Sequence, residues 1–515
     1  MKIWYDVSDL VGWNLPHLTG IQRTSVGILN GLVEHGGPVG LVRYDGKAGR
    51  FFPMAEAELP SAVRCHLRGW LSAKPEEPAA PAATPAAPAT PAAPTPAPRA
   101  RRRRLKLFKK DFLYGSAGEA EEMRHALRQF KTAARQFGKC VGRWAGRRLK
   151  QRVPQITAAT VPTHMRKAAA QTDTSAAATA FAAPGDMLLS VGATWGLSGH
   201  AEAVATLRGR GVKVVRMIYD LIPTIKPQWL EPQFTRPVTS WVRDVLLGSD
   251  RVLTISEFSR HEIERYCDEC RFDVPPLTVV RLGDVMGDAE SGSLPAPLPR
   301  FAPVRPFFVC VSTLDVRKNH RLLYDAWTQL ATRRGDECPD LVCIGLPHLH
   351  VADLLHDMRH DRMVNRHIHV LHGIEDCELD WYYKNCQATI YPSKYEGWGL
   401  PVAESLGHGR MCLASHATSI PEISRDLPEF FDPFDVQGLV SLVERVLDDP
   451  DWVREREAMI RETFRPTSWR ETAAQVLDAI RAPAGRGGQS TWPRLSPGAE
   501  GKSATVIPCR SLEVA

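Results

Sequence analysis

Twice along this chain, short apolar runs of strand length alternate with longer stretches whose apolar residues recur at helical spacing. No other feature restricts the fold as much. In the first half the runs lie at residues 2–7, 186–192, 213–217, 251–255 and 277–280; in the second half they lie at 307–311, 341–344, 367–371, 388–391 and 411–415. Strands that alternate with helices form parallel sheets, which need helices on both faces. The expectation is therefore an α/β chain of two doubly wound, parallel-sheet (Rossmann-like) domains. The two would face each other across a cleft at the carboxyl ends of their strands, where open sheets of this kind bind ligands. A Gly/Ser/Pro-rich connector at 291–299 marks the change from one to the other.

The chain is 515 residues long, enough for two domains with further segments. The first domain is expected over 1–290, interrupted by an insertion at 72–183, and the second over 300–465. An amphipathic closing helix (466–481) would then return to the first domain, ahead of a Gly/Pro/Ser-rich tail at 482–515 that is expected to be disordered. Within the insertion, residues 74–98 are almost entirely Pro, Ala and Thr. Such a stretch cannot bury a core and reads as an extended linker. Residues 105–150 show helical periodicity rich in Arg and Lys, and 168–183 return to Ala and Thr. Hydrophobic residues at 43% and charged residues at 24% give the balance of a globular protein. The opening residues lack a signal-peptide layout, since Asp6 and Asp9 break the apolar run, and no stretch is apolar enough to span a bilayer. Eleven cysteines without framework spacing fit a reduced cytoplasm. The net charge of +7 is concentrated between Arg99 and Arg152, as in Arg101-Arg102-Arg103-Arg104 and Lys109-Lys110. Two readings stand open for it: a solvated basic insertion, or contact with anionic material.

The densest chemistry lies in Tyr391-Pro392-Ser393-Lys394-Tyr395-Glu396-Gly397-Trp398-Gly399-Leu400-Pro401-Val402-Ala403-Glu404-Ser405. A strand ends in a glycine-bearing loop and Pro401 suits the start of a helix. The free N–H groups and dipole of that helix end would seat a diphosphate. Glu396 falls in the loop and Glu404 one turn into the helix, and both can face one cleft. Alternatively, both are surface carboxylates and the glycines only make a turn. A second constellation, Ser312-Thr313-Leu314-Asp315-Val316-Arg317-Lys318-Asn319-His320, follows the first strand of the second domain. The adjacent cations Arg317 and Lys318 suit a diphosphate leaving group, whose charge grows as its bond breaks; an exposed basic loop is the other reading. In Tyr219-Asp220-Leu221-Ile222-Pro223, Asp220 is either a helix cap or a carboxylate on the acceptor side. Ser256 and Ser259 read as helix-capping residues. The lone pair Cys267 and Cys270, and the histidines at 348, 350, 356 and 360, lack metal-site spacing, so no metal is expected.

The 391–405 segment resembles the E-x7-E signature of the retaining GT-B glycosyltransferases grouped as family 4, whose text runs "PS-x-x-E-G-F-G-L-P-x-x-E", here with Trp398 for the usual Phe. The resemblance extends over most of the chain outside 72–183 and the tail. It implies that Glu396 contacts donor-sugar hydroxyls, that Glu404 holds the nucleotide ribose, and that the backbone amides of Gly397, Trp398, Gly399 and Leu400 meet sugar and phosphates. Ser312 to Asn319 resembles "G-T-x-x-x-R-K-N", which makes Lys318 the diphosphate ligand and Arg317 its partner. Many members carry Gly-Arg near the start of that loop, where this chain has Ser312-Thr313. Tyr219-Asp220-Leu221-Ile222-Pro223 resembles "H-D-L-I-P", with Tyr219 at the histidine position. Thr254 to Arg260 matches "V-S-x-F-S-R", and Ser468-Trp469-Arg470 resembles the start of the closing helix. Thr19-Gly20-Ile21-Gln22-Arg23 resembles the "G-I-Q-R" loop, in which Gly20 would let the backbone approach the donor.

The reaction implied is transfer of a hexose, with retention, from a nucleoside diphosphate sugar to an acceptor hydroxyl. Resemblance to bacterial mannosyltransferases puts GDP-mannose first and another UDP- or GDP-hexose second. The expected acceptor is a surface-polysaccharide or lipid-linked glycan. No cofactor and no metal are expected, since no D-x-D motif stands at a strand end in the cleft segments. The basic stretch 99–110, with Leu105, Leu107, Phe108 and Phe112 interleaved, suits peripheral contact with an anionic membrane, at the inner face of the cytoplasmic membrane. The rival readings are a catalytically silent GT-B scaffold and a nucleic-acid-binding protein using the arginine run. No recognised nucleic-acid module accompanies that run, so no nucleic acid is expected as a partner.

Overall fold

A computed structural model of the chain describes residues 1–13, 18, 20–67, 181–284, 299–348 and 350–482. Residues 68–180, which take in the expected insertion (72–183) up to its last three residues, with the basic runs and Leu105, Leu107, Phe108 and Phe112, lie outside the described residues. So do Thr19, most of the connector and the tail from 483.

The first sheet has seven strands, β1 (Ile3–Asp6), β2 (Val39–Asp45), β3 (Arg50–Met54), β4 (Met187–Ser190), β5 (Lys213–Met217), β6 (Arg251–Thr254) and β7 (Leu277–Val279), in the order β3-β2-β1-β4-β5-β6-β7. The second has six, β8 (Phe307–Val311), β9 (Asp340–Ile344), β10 (Ile368–Leu371), β11 (Ala388–Tyr391), β12 (Cys412–Ser415) and β13 (Glu429–Phe431), in the order β10-β9-β8-β11-β12-β13. Strands such as β1, β4, β9 and β12 are buried along their whole length, as apolar runs under two helical layers must be. Among the described residues, all strand pairings are parallel but one. β3 runs antiparallel to β2 from Leu41↔Met54 to Asp45↔Arg50, an edge hairpin that the strand–helix alternation did not predict. Its turn is set by Asp45, whose Oδ1 accepts from the N–H of Lys47 and Ala48 (2.8 and 3.1 Å), and Pro53 is tolerated because β3 is an edge.

The helices that frame the site are α1 (Gly20–Glu34), α2 (Glu257–Cys270), α3 (Asp376–Asn385), α4 (Leu400–Gly407) and α5 (Trp469–Arg481). α1 starts at Gly20, so the segment expected as a loop from Thr19 to Arg23 is helical from Gly20 onward and forms its first turn. α5 opens with a capping box: Ser468 Oγ accepts from Glu471 N, and Glu471 Oε2 accepts from Ser468 N (3.1 and 2.7 Å). It packs back on α1, where glycines make the approach possible. A Cβ at Gly27 would lie 2.2 Å from the Trp469 ring, and one at Gly31 would lie 2.5 Å from the Trp469 carbonyl oxygen. Gly27→Val is therefore expected to displace α5 and destabilise the protein by about 1–3 kcal/mol, as overpacking does, read as a lower thermal midpoint. An unchanged midpoint would show that the Trp469 seat contributes little.

Candidate active site

In the second sheet the strand order reverses between β8 and β11, and a doubly wound sheet opens its crevice at the carboxyl ends of such a pair. The two loops leaving those ends carry the two sequence constellations. Asp315 closes the first loop by accepting from Arg317 N (2.9 Å), which caps the short turn Val316–Lys318. Asn319, in the left-handed region at φ 63°, donates from Nδ2 to the carbonyls of Pro392 (3.0 Å) and Pro433 (2.7 Å), tying this loop to the one that follows β11. Arg317 and Lys318 are thereby aimed at Glu396. Arg317 Nη1 lies 2.7 Å from Glu396 Oε2, and Lys318 Nζ lies 2.7 Å from Glu396 Oε1. Lys318 also donates to Tyr391 Oη (2.7 Å), and Arg317 to the Tyr395 carbonyl (3.2 Å).

Glu396 is only 6% exposed and Lys318 9%. Burial alone would raise the Glu396 carboxyl, but Arg317 and Lys318 outweigh it and hold the group down at about 2. Burial and the neighbouring Arg317 push the Lys318 ammonium below its ordinary range, against the pull of Glu396. For Arg317, burial acts downward and Glu396 more than reverses it. Two cationic side chains thus flank a carboxylate that stays ionised in a buried site.

Asp220, after β5 in the first domain, meets this cluster. A Cβ at Gly397 would lie 2.9 Å from the Tyr219 carbonyl oxygen and 3.0 Å from Asp220 Cβ, so the close approach of the domains itself demands glycine there. Asp220 Oδ1 accepts from Ile222 N (2.9 Å), a turn bond one residue ahead of the N-cap position, which Leu221 holds without a side-chain cap, while burial raises the Asp220 pKa and Arg317 opposes that. Asp220 is therefore not the N-cap of the helix that follows, and its carboxylate stands beside Gly397. Tyr219, at the usual histidine position, donates to the Val191 carbonyl (2.8 Å). Gly399 needs its glycine for a different reason, φ 118° directly before α4. Pro401 is the second residue of α4, and the side chain of Trp398 is buried with the Arg281 guanidinium over its ring at 5.6 Å.

Glu404 has partners of its own. Tyr383 Oη donates to its Oε2 (2.8 Å), and Arg23 of the first domain approaches Oε1 at 3.3 Å while pairing with Asp376 at 3.2 Å. His408, which follows α4, stacks on Tyr383 with ring centroids 4.7 Å apart and bridges the Glu404 carbonyl (2.7 Å) and Asp380 (3.1 Å). Arg23 was visible as the last letter of Gly20-Ile21-Gln22-Arg23; Tyr383 and the bridge made by His408 carried no sequence signal. Gly20 is exposed at the first turn of α1 with open space where a Cβ would go, so the fold does not itself require glycine there. Tyr383→Phe is expected to raise the donor KM about tenfold with kcat little changed, since one hydrogen bond to a buried carboxylate is lost. Steady-state kinetics check this, and an unchanged KM would remove Tyr383 from donor binding. Among the described residues, no group of three or more His, Cys, Asp or Glu side chains is arranged to hold a metal ion.

Two doubly wound sheets that meet at their carboxyl ends, with a paired cation–carboxylate site at the switch point of the second, are the two-domain α/β arrangement of the GT-B fold. Residues 300–465 match the Glycosyl transferases group 1 family. The chain is 24% identical to the O-antigen chain mannosyltransferase B of Escherichia coli over 269 residues, covering 52% of this chain and 70% of that one. It is 25% identical to a serotype-specific mannosyltransferase WbdA of Escherichia coli over 302 residues, covering 55% of this chain but only 36% of the relative. Over 114 residues it is 30% identical to the MMP alpha-(1->4)-mannosyltransferase of Mycolicibacterium hassiacum, covering 21% of this chain and 28% of that one. A solved structure of Anabaena Alr3699/HepE in complex with UDP-glucose overlays 57% of this chain and 79% of that one at 15% identity, with a TM-score of 0.44. The chain thus carries a Glycosyl transferases group 1 domain in its second half and has relatives among mannosyltransferases.

Proposed function

We propose that this protein transfers a hexose, mannose in the first instance, with retention from a nucleoside diphosphate sugar to a hydroxyl of a surface-polysaccharide or lipid-linked glycan. The observation that carries the reading is the Glu396 carboxylate held between Arg317 and Lys318 beside the start of α4. A diphosphate bound there would draw on both cations and on the amides of Gly397, Trp398, Gly399 and Leu400. With its cations shared, Glu396 would accept hydrogen bonds from donor-sugar hydroxyls. Glu404, oriented by Tyr383, would hold the ribose. The sugar C1–O bond to the diphosphate breaks as the acceptor oxygen bonds to C1 on the same face. The acceptor proton passes to the departing diphosphate oxygen, so the products are a nucleoside diphosphate and the extended glycan. Arg317 and Lys318 stabilise the growing diphosphate charge, and the scheme uses neither a resident metal nor a cofactor. Asp220, across the seam, would face the acceptor.

The mannosyltransferase names of the relatives support mannose, and GDP-mannose is the first donor to test. Among the described residues, no helix is long and apolar enough to cross a membrane. We place the enzyme at the inner face of the cytoplasmic membrane through the basic stretch 99–112; deletion of that stretch should abolish binding to anionic liposomes, and unchanged binding would sink this part. The function itself is tested by binding and turnover with GDP-mannose, UDP-glucose, UDP-galactose and UDP-N-acetylglucosamine, beside Glu396→Ala and Lys318→Ala. One productive donor, lost in both variants, supports the reading. A folded wild-type protein that binds none of them refutes it.

A further inference from the structure

The second domain takes hold of α2 in the first domain at two points. The Glu422 carboxylate accepts from the backbone N–H groups of Glu257 and Phe258, each at 2.7 Å. These are the first two amides of the helix; the third, of Ser259, donates to Ser256 Oγ (3.0 Å). A helix leaves its leading amides without internal partners, so here the chain's own cap is completed by a carboxylate 164 residues away in the other domain. The second grip is Tyr395. Its hydroxyl donates to the Glu262 carboxylate, one turn along α2, and its ring packs edge-on against Phe258 and Trp229, with centroids 5.6 and 6.2 Å away.

Both grips lead directly to Glu396. Tyr395 is the residue before it. Glu422 ends the short turn Ile420–Glu422, and the two residues ahead of that turn bind the Glu396 backbone. Thr418 Oγ1 accepts from Glu396 N and donates to Glu396 O, both at 2.9 Å, and Ser419 Oγ donates to the carbonyls of Glu396 (3.0 Å) and Trp398 (3.1 Å). Thr418 is held at φ 53°, a conformation that non-glycine residues adopt only when surrounding contacts impose it. The backbone of Glu396 is thus clasped between two segments that both end on α2.

We infer that closure of the second domain on α2 sets the position of Glu396, with Tyr395 and Glu422 as positioning residues that couple domain closure to transfer. The inference rests on the transferase reading above and adds to it a reason for turnover to wait on closure. An open molecule would still bind nucleotide through Lys318, Arg317 and Glu404 on the second domain. Its Glu396 would lie out of register with the sugar, which limits loss of donor to water before the acceptor domain is engaged.

The test uses the full chain, with Glu422→Gln and Tyr395→Phe as near-isosteric variants. Three quantities are measured: affinity for GDP and UDP by calorimetry, kcat for transfer, and amide hydrogen exchange at residues 257–258 and 394–399. Nucleotide affinity is expected to stay within about twofold while kcat falls about 10- to 100-fold, the scale of a misplaced catalytic group. Exchange at 394–399 should quicken in both variants, and Glu422→Gln is the decisive one because its substitution lies outside that segment. Unchanged exchange at 394–399, or a loss of nucleotide affinity in step with kcat, overturns the coupling. Should the wild-type protein transfer from no donor, the transferase reading falls on its own, and the exchange comparison still decides whether the two grips set the Glu396 loop.

Discussion

Glu396→Gln is expected to lower kcat by about 10²–10³-fold, the scale of losing one preorganised polar contact to the reacting sugar. The amide keeps the shape and one acceptor oxygen but loses the charge that Arg317 and Lys318 surround at 2.7 Å each. The same variant should have a pH signature in stability. The Glu396 carboxyl sits at about 2 in the folded protein, below the ordinary glutamate value of 4.5. A depressed carboxyl contributes stability that is present above its unfolded value and is lost as pH falls toward the folded one. Wild type should therefore exceed Glu396→Gln by about 3 kcal/mol near neutrality, from about 1.4 kcal/mol per pH unit, and the difference should shrink between pH 4.5 and 2. Denaturant unfolding at several pH values checks this; a difference independent of pH would mean that the ion pairs do not hold the carboxylate. Over pH 5 to 9 the group stays ionised, so no acid limb of kcat/KM should trace to Glu396.

Lys318→Ala is expected to lower kcat/KM for the donor by about 10²–10³-fold, with changes in both KM and kcat. The ammonium is the nearer to a point charge of the two cations and is buried against Tyr391, where its interaction with a departing diphosphate is least screened by water. Its removal leaves Glu396 paired with Arg317, so the stability cost should fall below the roughly 3–5 kcal/mol of an orphaned buried charge. Lys318→Arg should recover part of the activity, because charge returns without the fit. Kinetics beside thermal unfolding separate the two effects. Unchanged kcat/KM in a stable Lys318→Ala protein would exclude Lys318 from leaving-group stabilisation.

Most strands and the order of events along the chain were legible because they depend on local rules. Residues 213–217, 307–311 and 388–391 became strands with the bounds their apolar runs suggested. Pro401 and the glycines before it marked the start of α4 to within a residue. Reading failed where a local signal was weak or pointed two ways. The β2–β3 hairpin breaks the strand–helix alternation, and the first turn of α1 reads as loop because Gly20 and polar Gln22 and Arg23 dilute its apolar stripe.

By itself, the sequence determined two α/β halves, the segments that would carry the charged groups, and the types of those groups, since residue period, turn chemistry and charge are all properties of neighbours in the chain. The tertiary structure alone decided which groups meet. Arg317 and Glu396, 79 positions apart, are joined because β8 and β11 are adjacent at a reversal of strand order. Tyr383 lies under Glu404, Gly397 against Asp220, and Glu422 and Tyr395 on α2 for the same kind of reason. Contacts of that kind are fixed by sheet order and by how two domains close, and no spacing within either segment encodes them.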